Sequence, residues 1–224
     1  MPECHIDDSL GWPEIHLLGL TAPQALKRAV DVLGACAFGI ALLPAFAILW
    51  LLVPATSRGR RLYGHPRVGR GGEIFTAWKF RTMVEDADEV LERHLAADAA
   101  LRDEWQLAQK LRRDPRVTWI GRILRRTSMD ELPQLWNVVR GDMSLVGPRP
   151  IIESEIARYG PQYSLYQRMR PGLTGLWQIS GRNRLRYDER VRMDEHYVRN
   201  WTLWLDLYIL RRTVKVVLTG EGAY

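Results

Sequence analysis

The sequence predicts a mainly α-helical fold with a small β element. It reads as a monotopic membrane protein with a Pro-broken re-entrant helix hairpin and interfacial amphipathic helices. Three observations carry that expectation. The 22 residues from Val32 to Val53 hold no charge, and Pro44 sits near the middle of the run. Basic residues flank both ends, with Lys27 and Arg28 before it and Arg58, Arg60 and Arg61 after it. Farther on, the stretch 188–218 mixes Trp201, Trp204 and Tyr208 with Arg211, Arg212 and Lys215, which suits a helix at a membrane interface. Packing of that stretch against the protein's own core fits it equally well.

As one unbroken helix the apolar run would reach roughly 33 Å, enough to cross a hydrocarbon core of ~30 Å. Its composition admits three arrangements: a re-entrant pair, a kinked single crossing, or a buried core helix. Pro44 removes a backbone hydrogen bond and breaks or kinks the helix. Positive charge on both flanks places both on the cytoplasmic side. The re-entrant pair satisfies both observations and is the arrangement expected here. Asp31 at its start reads as a partner of Arg28 or as a helix cap. Cys36, inside the run, reads as a small core hydrophobe, and with Cys4 it makes neither a disulfide framework nor a metal site. Glu3, Asp7 and Asp8 are opposite in sign to the start of a signal peptide, so the chain is expected to face the cytoplasm.

After the hairpin, Gly64, Gly69, Gly71 and Gly72 suggest turns between short strands. Residues 73–80, rich in β-branched and aromatic side chains, read as a strand. Residues 85–111 read as one exposed helix, with Leu91, Leu95, Leu101, Trp105 and Leu111 at roughly helical spacing. Its acids, Glu85, Asp86, Asp88, Glu89 and Glu92, show no ligand spacing and read as a solvated face.

The composition, 46% hydrophobic and 26% charged with a net charge of +6, excludes both a disordered chain and a polytopic membrane protein. The 32 basic residues are 28 Arg and only 4 Lys. The arginine fork matches phosphate and carboxylate, so anionic partners are expected. That excess alone does not separate nucleic acid, lipid headgroups and nucleotide sugars. The most informative cluster is Asp130-Glu131, shortly after Arg125 and Arg126. Adjacent carboxylates can divide labour, one as nucleophile or base and one as ligand to a hard cation such as Mg2+, which takes one or two carboxylates plus substrate phosphates. The two arginines suit a diphosphate and offset charge during phosphoryl transfer. A purely structural reading competes: Ser128-Met129-Asp130-Glu131 matches the Ser-x-x-Glu capping box. A helix starting there would add backbone donors to an anion site.

A wider set of segments stands in order along the chain. Lys27-Arg28 and Asp31 precede the broken apolar run, and Lys79-Phe80-Arg81-Thr82-Met83 follows it. Next come Arg113-Asp114-Pro115-Arg116, Gly121-Arg122, and Asp130-Glu131-Leu132-Pro133-Gln134-Leu135-Trp136-Asn137-Val138. Gly141-Asp142-Met143-Ser144-Leu145-Val146-Gly147-Pro148-Arg149-Pro150 leads to Arg170-Pro171-Gly172-Leu173-Thr174-Gly175-Leu176-Trp177-Gln178 and Gly181-Arg182-Asn183. From about residue 27 to the end, this series resembles the bacterial sugar transferase family, the monotopic polyprenyl-phosphate phosphoglycosyl transferases. Two places depart from the family pattern. Gly64-His65-Pro66-Arg67 stands where many members carry a Gln-Arg pair, with His65 as a substitute, and Leu43 stands where members often have Ser before the hairpin proline.

The resemblance implies a domain plan of an N-terminal cytoplasmic segment (1–26), a re-entrant hairpin (27–56) and a cytoplasmic catalytic domain with interfacial C-terminal helices (57–224). It implies an enzyme of the bacterial inner membrane that moves hexose 1-phosphate from a UDP-sugar to undecaprenyl phosphate, releasing UMP, to initiate exopolysaccharide or O-antigen synthesis. On that likeness Asp130 is the nucleophile, forming an aspartyl-phosphosugar intermediate, and Glu131 is the Mg2+ ligand. Arg125 and Arg149 grip phosphates, with Lys79 and Arg81 as weaker candidates for the same work. The segments 175–182 and 218–224 look like the branch that uses UDP-galactose or UDP-glucose, galactose being favoured. Membrane lipids are expected partners, nucleic acid is not, and a homo-oligomer is compatible with the sequence. The short N-terminus implies the minimal catalytic form or a piece of a longer chain.

Overall fold

The computed structural model describes residues 22–57, 59–108, 111, 113–181 and 185–219. Glu3, Asp7, Asp8, Arg58, Lys110, Arg112, Arg182, Asn183 and 220–224 lie outside the described residues, and so do the readings that fall on them.

The apolar run forms two helices, α1 (Ala22–Ala41) and α2 (Leu43–Thr56), bent by 64°. Among the described residues no single helix is long and apolar enough to cross a membrane; taken together, this bent pair has the length and composition. The break falls at Leu42, and Pro44 lies in the first turn of α2, where its missing N–H leaves no helical bond unmade. Leu33, Ile40, Leu43 and Leu51 are exposed along the pair. Cys36, expected in the core, is exposed as well.

Strands β1 (Leu62–Val68) and β2 (Ile74–Phe80) pair antiparallel from Leu62↔Phe80 to Val68↔Ile74. Gly71 and Gly72 turn the chain between them with φ of 71° and 83°, as expected. Gly64 instead lies inside β1 opposite Trp78, and a Cβ there would come within 2.5 Å of Thr76 Cγ2. Its small size is a packing requirement, which in sequence looks like a turn signal.

The single helix expected over 85–111 is two, α3 (Ala87–Ala97) and α4 (Ala99–Ala108). Asp98 separates them, and its Oδ1 accepts the N–H groups of Ala100 (2.8 Å) and Leu101 (3.3 Å), capping α4. The acids Glu85, Asp86, Asp88, Glu89 and Glu92 are exposed, as expected of a solvated face.

Helix α5 (Trp119–Thr127), a 3-10 turn (Met129–Glu131) and α6 (Gln134–Arg140) follow. Strand β3 (Ser144–Val146) pairs in parallel with β4 (Gly172–Thr174) across the short helices α7 (Ile156–Tyr159) and α8 (Tyr163–Tyr166). Then come α9 (Leu176–Ile179), α10 (Tyr187–Arg199) and α11 (Leu203–Thr219), so the helix expected over 188–218 is broken near Trp201. Packing against the protein's own core holds for one face of α11, where Ile209 and Val216 are buried; Trp204 and Tyr208 are exposed.

One apolar cluster joins Ala35 of α1 to Val138, Leu145, Val146, Tyr197 and Ile209. Another joins Val53 of α2 to Phe80, Ile120 and Leu124, with Phe46, Leu49, Met129 and Leu132 packed against it. The charges before the run are not surface flags. Lys27 is buried, and its Nζ donates to Asp206 Oδ2 of α11 (2.7 Å) and to the Val146 carbonyl (3.0 Å). Arg28 donates to the carbonyls of Val138 (2.6 Å) and Val139 (2.8 Å). Asp31 neither pairs with Arg28 nor caps a helix; its carboxylate accepts the Leu145 N–H (3.0 Å) and the Ser144 hydroxyl (2.8 Å).

Asp206 also accepts from Tyr197 Oη (2.7 Å) and Trp201 Nε1 (3.1 Å). Asp206→Ala leaves Lys27 buried without its partner, and chemical unfolding should show a loss of about 3–5 kcal/mol. A loss below ~1 kcal/mol would mean that water reaches Lys27 and that the hairpin is held by packing alone.

Candidate active site

The segment Lys79-Phe80-Arg81-Thr82 sends each side chain to a different task. Phe80 is buried in the cluster with Val53, and Arg81 Nε donates back to the Arg60 carbonyl (2.8 Å). The Thr82 carbonyl accepts the Thr118 N–H (3.0 Å), and Thr82 Oγ1 accepts from Arg125 Nε (3.0 Å). Thr118 in turn caps α5 by accepting the Gly121 N–H (2.9 Å). Lys79 faces the carboxylates.

Asn137, fully buried on α6, ties that helix to the strand. Its Oδ1 accepts the Trp78 N–H (3.1 Å), and its Nδ2 donates to the Thr76 carbonyl (2.8 Å) and to Asp142 Oδ2 (3.0 Å). The amide thus stands in for a neighbouring strand along β2. Its place in the Asp130–Val138 segment was visible in sequence, but not this duty.

Asp130 and Glu131 sit on the 3-10 turn that links α5 to α6. The capping box offered by Ser128 and Glu131 does not form. Ser128 caps the C-terminal end of α5 in the left-handed region, with φ of 57°, and its side chain makes no cap hydrogen bond. It is the only non-glycine residue with positive φ among the described residues. The reversal is a strained conformation for a residue with a Cβ, of a kind found at functional sites. Met129 and Leu132 pin the turn into the cluster that holds α2. No long helix starts at the pair, so the backbone donors expected there are replaced by side-chain cations.

Lys79 Nζ donates to Glu131 Oε1 (2.5 Å) and lies 4.0 Å from Asp130 Oδ2. Burial opposes ionisation of Glu131, but Lys79, Arg149 and Arg67 outweigh it and hold its carboxyl below the usual range. Burial and the adjacent Glu131 push Asp130 up to about 6, with Lys79 and Arg125 pulling the other way. Two neighbouring carboxyls are thereby driven apart, Glu131 downward and Asp130 up to about 6.

Arg149 arrives on the loop after β3. That loop is locked by its backbone: the Gly147 N–H donates to the Thr174 carbonyl (3.0 Å), and the Gly172 N–H donates to the Pro148 carbonyl (2.8 Å). A Cβ on Gly172 would lie 2.1 Å from the Gly147 nitrogen, so glycine is required for the approach. The Arg149 guanidinium rests 5.5 Å from the Trp177 ring centroid. A small cavity of about 10 Å³ lies between these parts, lined by Arg67, Lys79, Glu131, Gln134, Arg149 and Gln178 among others.

The structure therefore brings together Asp130, Glu131, Lys79 and Arg149, with Arg125 beside them at Thr82. Arg81 is turned away to the Arg60 carbonyl. His65 is not part of the pocket; its Nδ1 lies 2.9 Å from the Pro66 carbonyl oxygen. Arg67, Gln134 and Gln178 were not singled out as site residues in sequence, although each stands in or beside a quoted motif. Among the described residues no group of three or more His, Cys, Asp or Glu is placed to hold a metal ion. Two adjacent carboxylates match a hard cation that takes its other ligands from water and substrate phosphate.

The family model for bacterial sugar transferases matches residues 22–220. Among curated proteins the chain is 53% identical over 199 residues to a UDP-galactose-lipid carrier transferase of Erwinia amylovora, covering 89% of this chain and 42% of that protein. It is 51% identical over 207 residues to an undecaprenyl-phosphate galactose phosphotransferase of Salmonella typhimurium, covering 92% and 43%. Identity is 48% over 198 residues to the exopolysaccharide production protein ExoY of Sinorhizobium fredii, covering 88% of each chain. The chain thus spans less than half the length of the first two relatives and most of the third.

Lys79→Met removes the cation that favours ionisation of both carboxyls. Carbon-13 NMR titration of the side-chain carboxyls should show Asp130 titrating above about 6 and Glu131 moving up with it. An unmoved Asp130 would show that Lys79 does not act on the pair.

Proposed function

The chain belongs to the bacterial sugar transferase family, and from that premise we propose that it transfers hexose 1-phosphate from a UDP-sugar to undecaprenyl phosphate. Galactose is the favoured sugar, with glucose the alternative, and the products are UMP and undecaprenyl-diphospho-sugar. The names of the relatives support both the nucleotide sugar and the lipid acceptor. The observation that carries the reading is that the Asp130–Glu131 turn and α2 share one apolar cluster, Met129 and Leu132 of the turn and Phe46, Leu49 and Val53 of the helix gathering around Phe80, Ile120 and Leu124. A carboxylate pair fixed to an apolar hairpin suits a reaction between a water-soluble donor and a phosphate held at headgroup depth.

In this mechanism the Asp130 carboxylate attacks the sugar-bearing phosphorus of the donor. The bond from that phosphorus to the bridging oxygen breaks, and UMP leaves with the oxygen. An oxygen of the lipid phosphate then attacks the same phosphorus of the aspartyl-phosphosugar, the acyl-phosphate bond breaks, and Asp130 returns as carboxylate. Splitting the transfer in two gives ping-pong kinetics. Lys79, Arg125 and Arg149 hold phosphate oxygens and offset the charge that develops on them. Mg2+ bound through Glu131 would neutralise the diphosphate and its leaving group.

The bent pair sits in the cytoplasmic leaflet of the inner membrane, with both ends and the catalytic part on the cytoplasmic side. Exposed Trp119 and Ile123 on α5, Trp136 on α6 and Trp204 on α11 support contact with the interface, where aromatic rings concentrate. Transfer of this kind initiates a lipid-linked surface polysaccharide, and the exopolysaccharide relative supports that setting.

The deciding experiment incubates the protein in undecaprenyl-phosphate liposomes with labelled UDP-galactose and, separately, UDP-glucose. Labelled lipid diphosphate sugar and released UMP are expected, and hydrolysis to free sugar phosphate without lipid product would sink the transfer reading. Asp130→Asn should lower UMP release by 10³-fold or more, on the order of the losses seen on removing a covalent nucleophile.

The pH profile follows from the raised Asp130. The nucleophile is ionised above about 6 and protonated below it. Initial rates of UMP release should therefore hold through neutral pH and fall tenfold per unit below about 6. Glu131, held low, stays charged across that window. A rate that stays level down to pH 5 would contradict an Asp130 nucleophile titrating at that position.

A further inference from the structure

Arg67 was not among the residues singled out for chemistry, yet the fold delivers it to the same pocket as Lys79, Glu131 and Arg149. The delivery is through the backbone. The Val68 N–H donates to the Ile151 carbonyl (2.8 Å), which sets the end of β1 alongside the loop that carries Arg149. Arg67 Nη1 donates to the Pro150 carbonyl (3.3 Å), so its side chain lies along that loop.

The charge balance there is uneven. Among the described residues the pocket is lined by three cations, Arg67, Lys79 and Arg149, against the single carboxylate of Glu131. Lys79 takes that carboxylate. Neither Arg67 nor Arg149 has a carboxylate at ion-pair distance among the described residues, and both are half-buried. Burial and the repulsion of Arg149 pull Arg67 below the ordinary arginine value, Glu155 and Glu131 only partly offsetting them. Two partly desolvated guanidiniums held together against their mutual repulsion are stabilised by an anion with several oxygens, which each fork can grip at two points.

The geometry points to Arg67 and Arg149 as a paired clamp for the diphosphate of the donor nucleotide, with Arg67 as a substrate-binding residue. This deepens the proposed transfer reaction and rests on it for the identity of the ligand. In that reaction the negative charge shifts between the two phosphates as UMP departs, and a clamp with one fork on each side accommodates it.

Isothermal titration of the full chain in detergent, in Mg2+ buffer, with UDP, inorganic pyrophosphate and uridine tests the clamp. Wild-type protein should bind UDP and pyrophosphate. Arg67→Met should weaken both by about tenfold or more, and Arg67→Lys, which keeps the charge and loses the fork, should fall between. Uridine affinity should not change, and Arg70→Met, which removes an exposed charge at the turn between β1 and β2, should leave UDP affinity within twofold of wild type. Melting temperatures of the variants serve to exclude unfolding. The clamp is overturned if Arg67→Met and Arg67→Lys are folded and bind UDP as wild type does, or if uridine binding falls as far as UDP binding.

Turnover of UDP-hexose to lipid product, measured in parallel, separates the two readings. A wild-type protein that makes no lipid product but shows Arg67-dependent pyrophosphate binding sinks the transfer reaction and supports the clamp. A protein that turns over normally with Arg67→Met unaffected sinks the clamp alone.

Discussion

Lys27 is the point at which the bent apolar helix pair is tied to everything else. Its ammonium lies between the Val146 carbonyl at the end of β3 and Asp206 on α11, with Asp31 at 3.8 Å. Tyr197 and Trp201 complete the coordination of Asp206, and Ser144 and the Leu145 N–H complete that of Asp31. Removing these charges from water is expensive, and the mutual attraction offsets that cost only because each carboxylate oxygen has a partner. Such a network adds little net stability over an apolar core. It does tie α1, β3, α10 and α11 together in one register, in which each of these groups has a partner.

That register decides where chemistry happens. With α1 fixed, the break at Leu42 sets the direction of α2, and α2 supplies Phe46, Leu49 and Val53 to the cluster on which the carboxylate turn rests. Asn137 then sets β2 against α6, and with it Lys79 against Glu131. The carboxylates come from one short turn, whereas the cations around them come from β1, from β2, from α5 and from the loop after β3. The site is therefore a property of the closed fold and of no single segment.

This division explains what could be read in the sequence. The break in the apolar run, the strand at 73–80 and the Asp130–Glu131 pair were legible because each is local: an apolar run with a proline, a β-branched stretch, an ordered motif. Several of the errors concern residues whose partners are distant. Lys27, Arg28 and Asp31 looked like charges flanking an apolar segment, and their partners are more than a hundred residues away. Gly64 looked like a turn because its neighbour Trp78 lies across the sheet. The capping box at Ser128 fails for a reason that only the fold supplies, the left-handed reversal that ends α5. The break at Asp98 is different: an aspartate before two alanines is a cap signal, and it was outweighed by the regular leucine spacing on either side.

The pairing of Lys27 with Asp206 spans 179 residues. During synthesis the aspartate that neutralises Lys27 is made 179 residues after it. At typical elongation rates the two are separated by on the order of 10–40 s. For that interval Lys27 has no Asp206, and a bare ammonium beside apolar helices keeps its hydration. Closure by α11 is then the step that withdraws the charge from water, so α1 reaches its final seat only when α11 arrives.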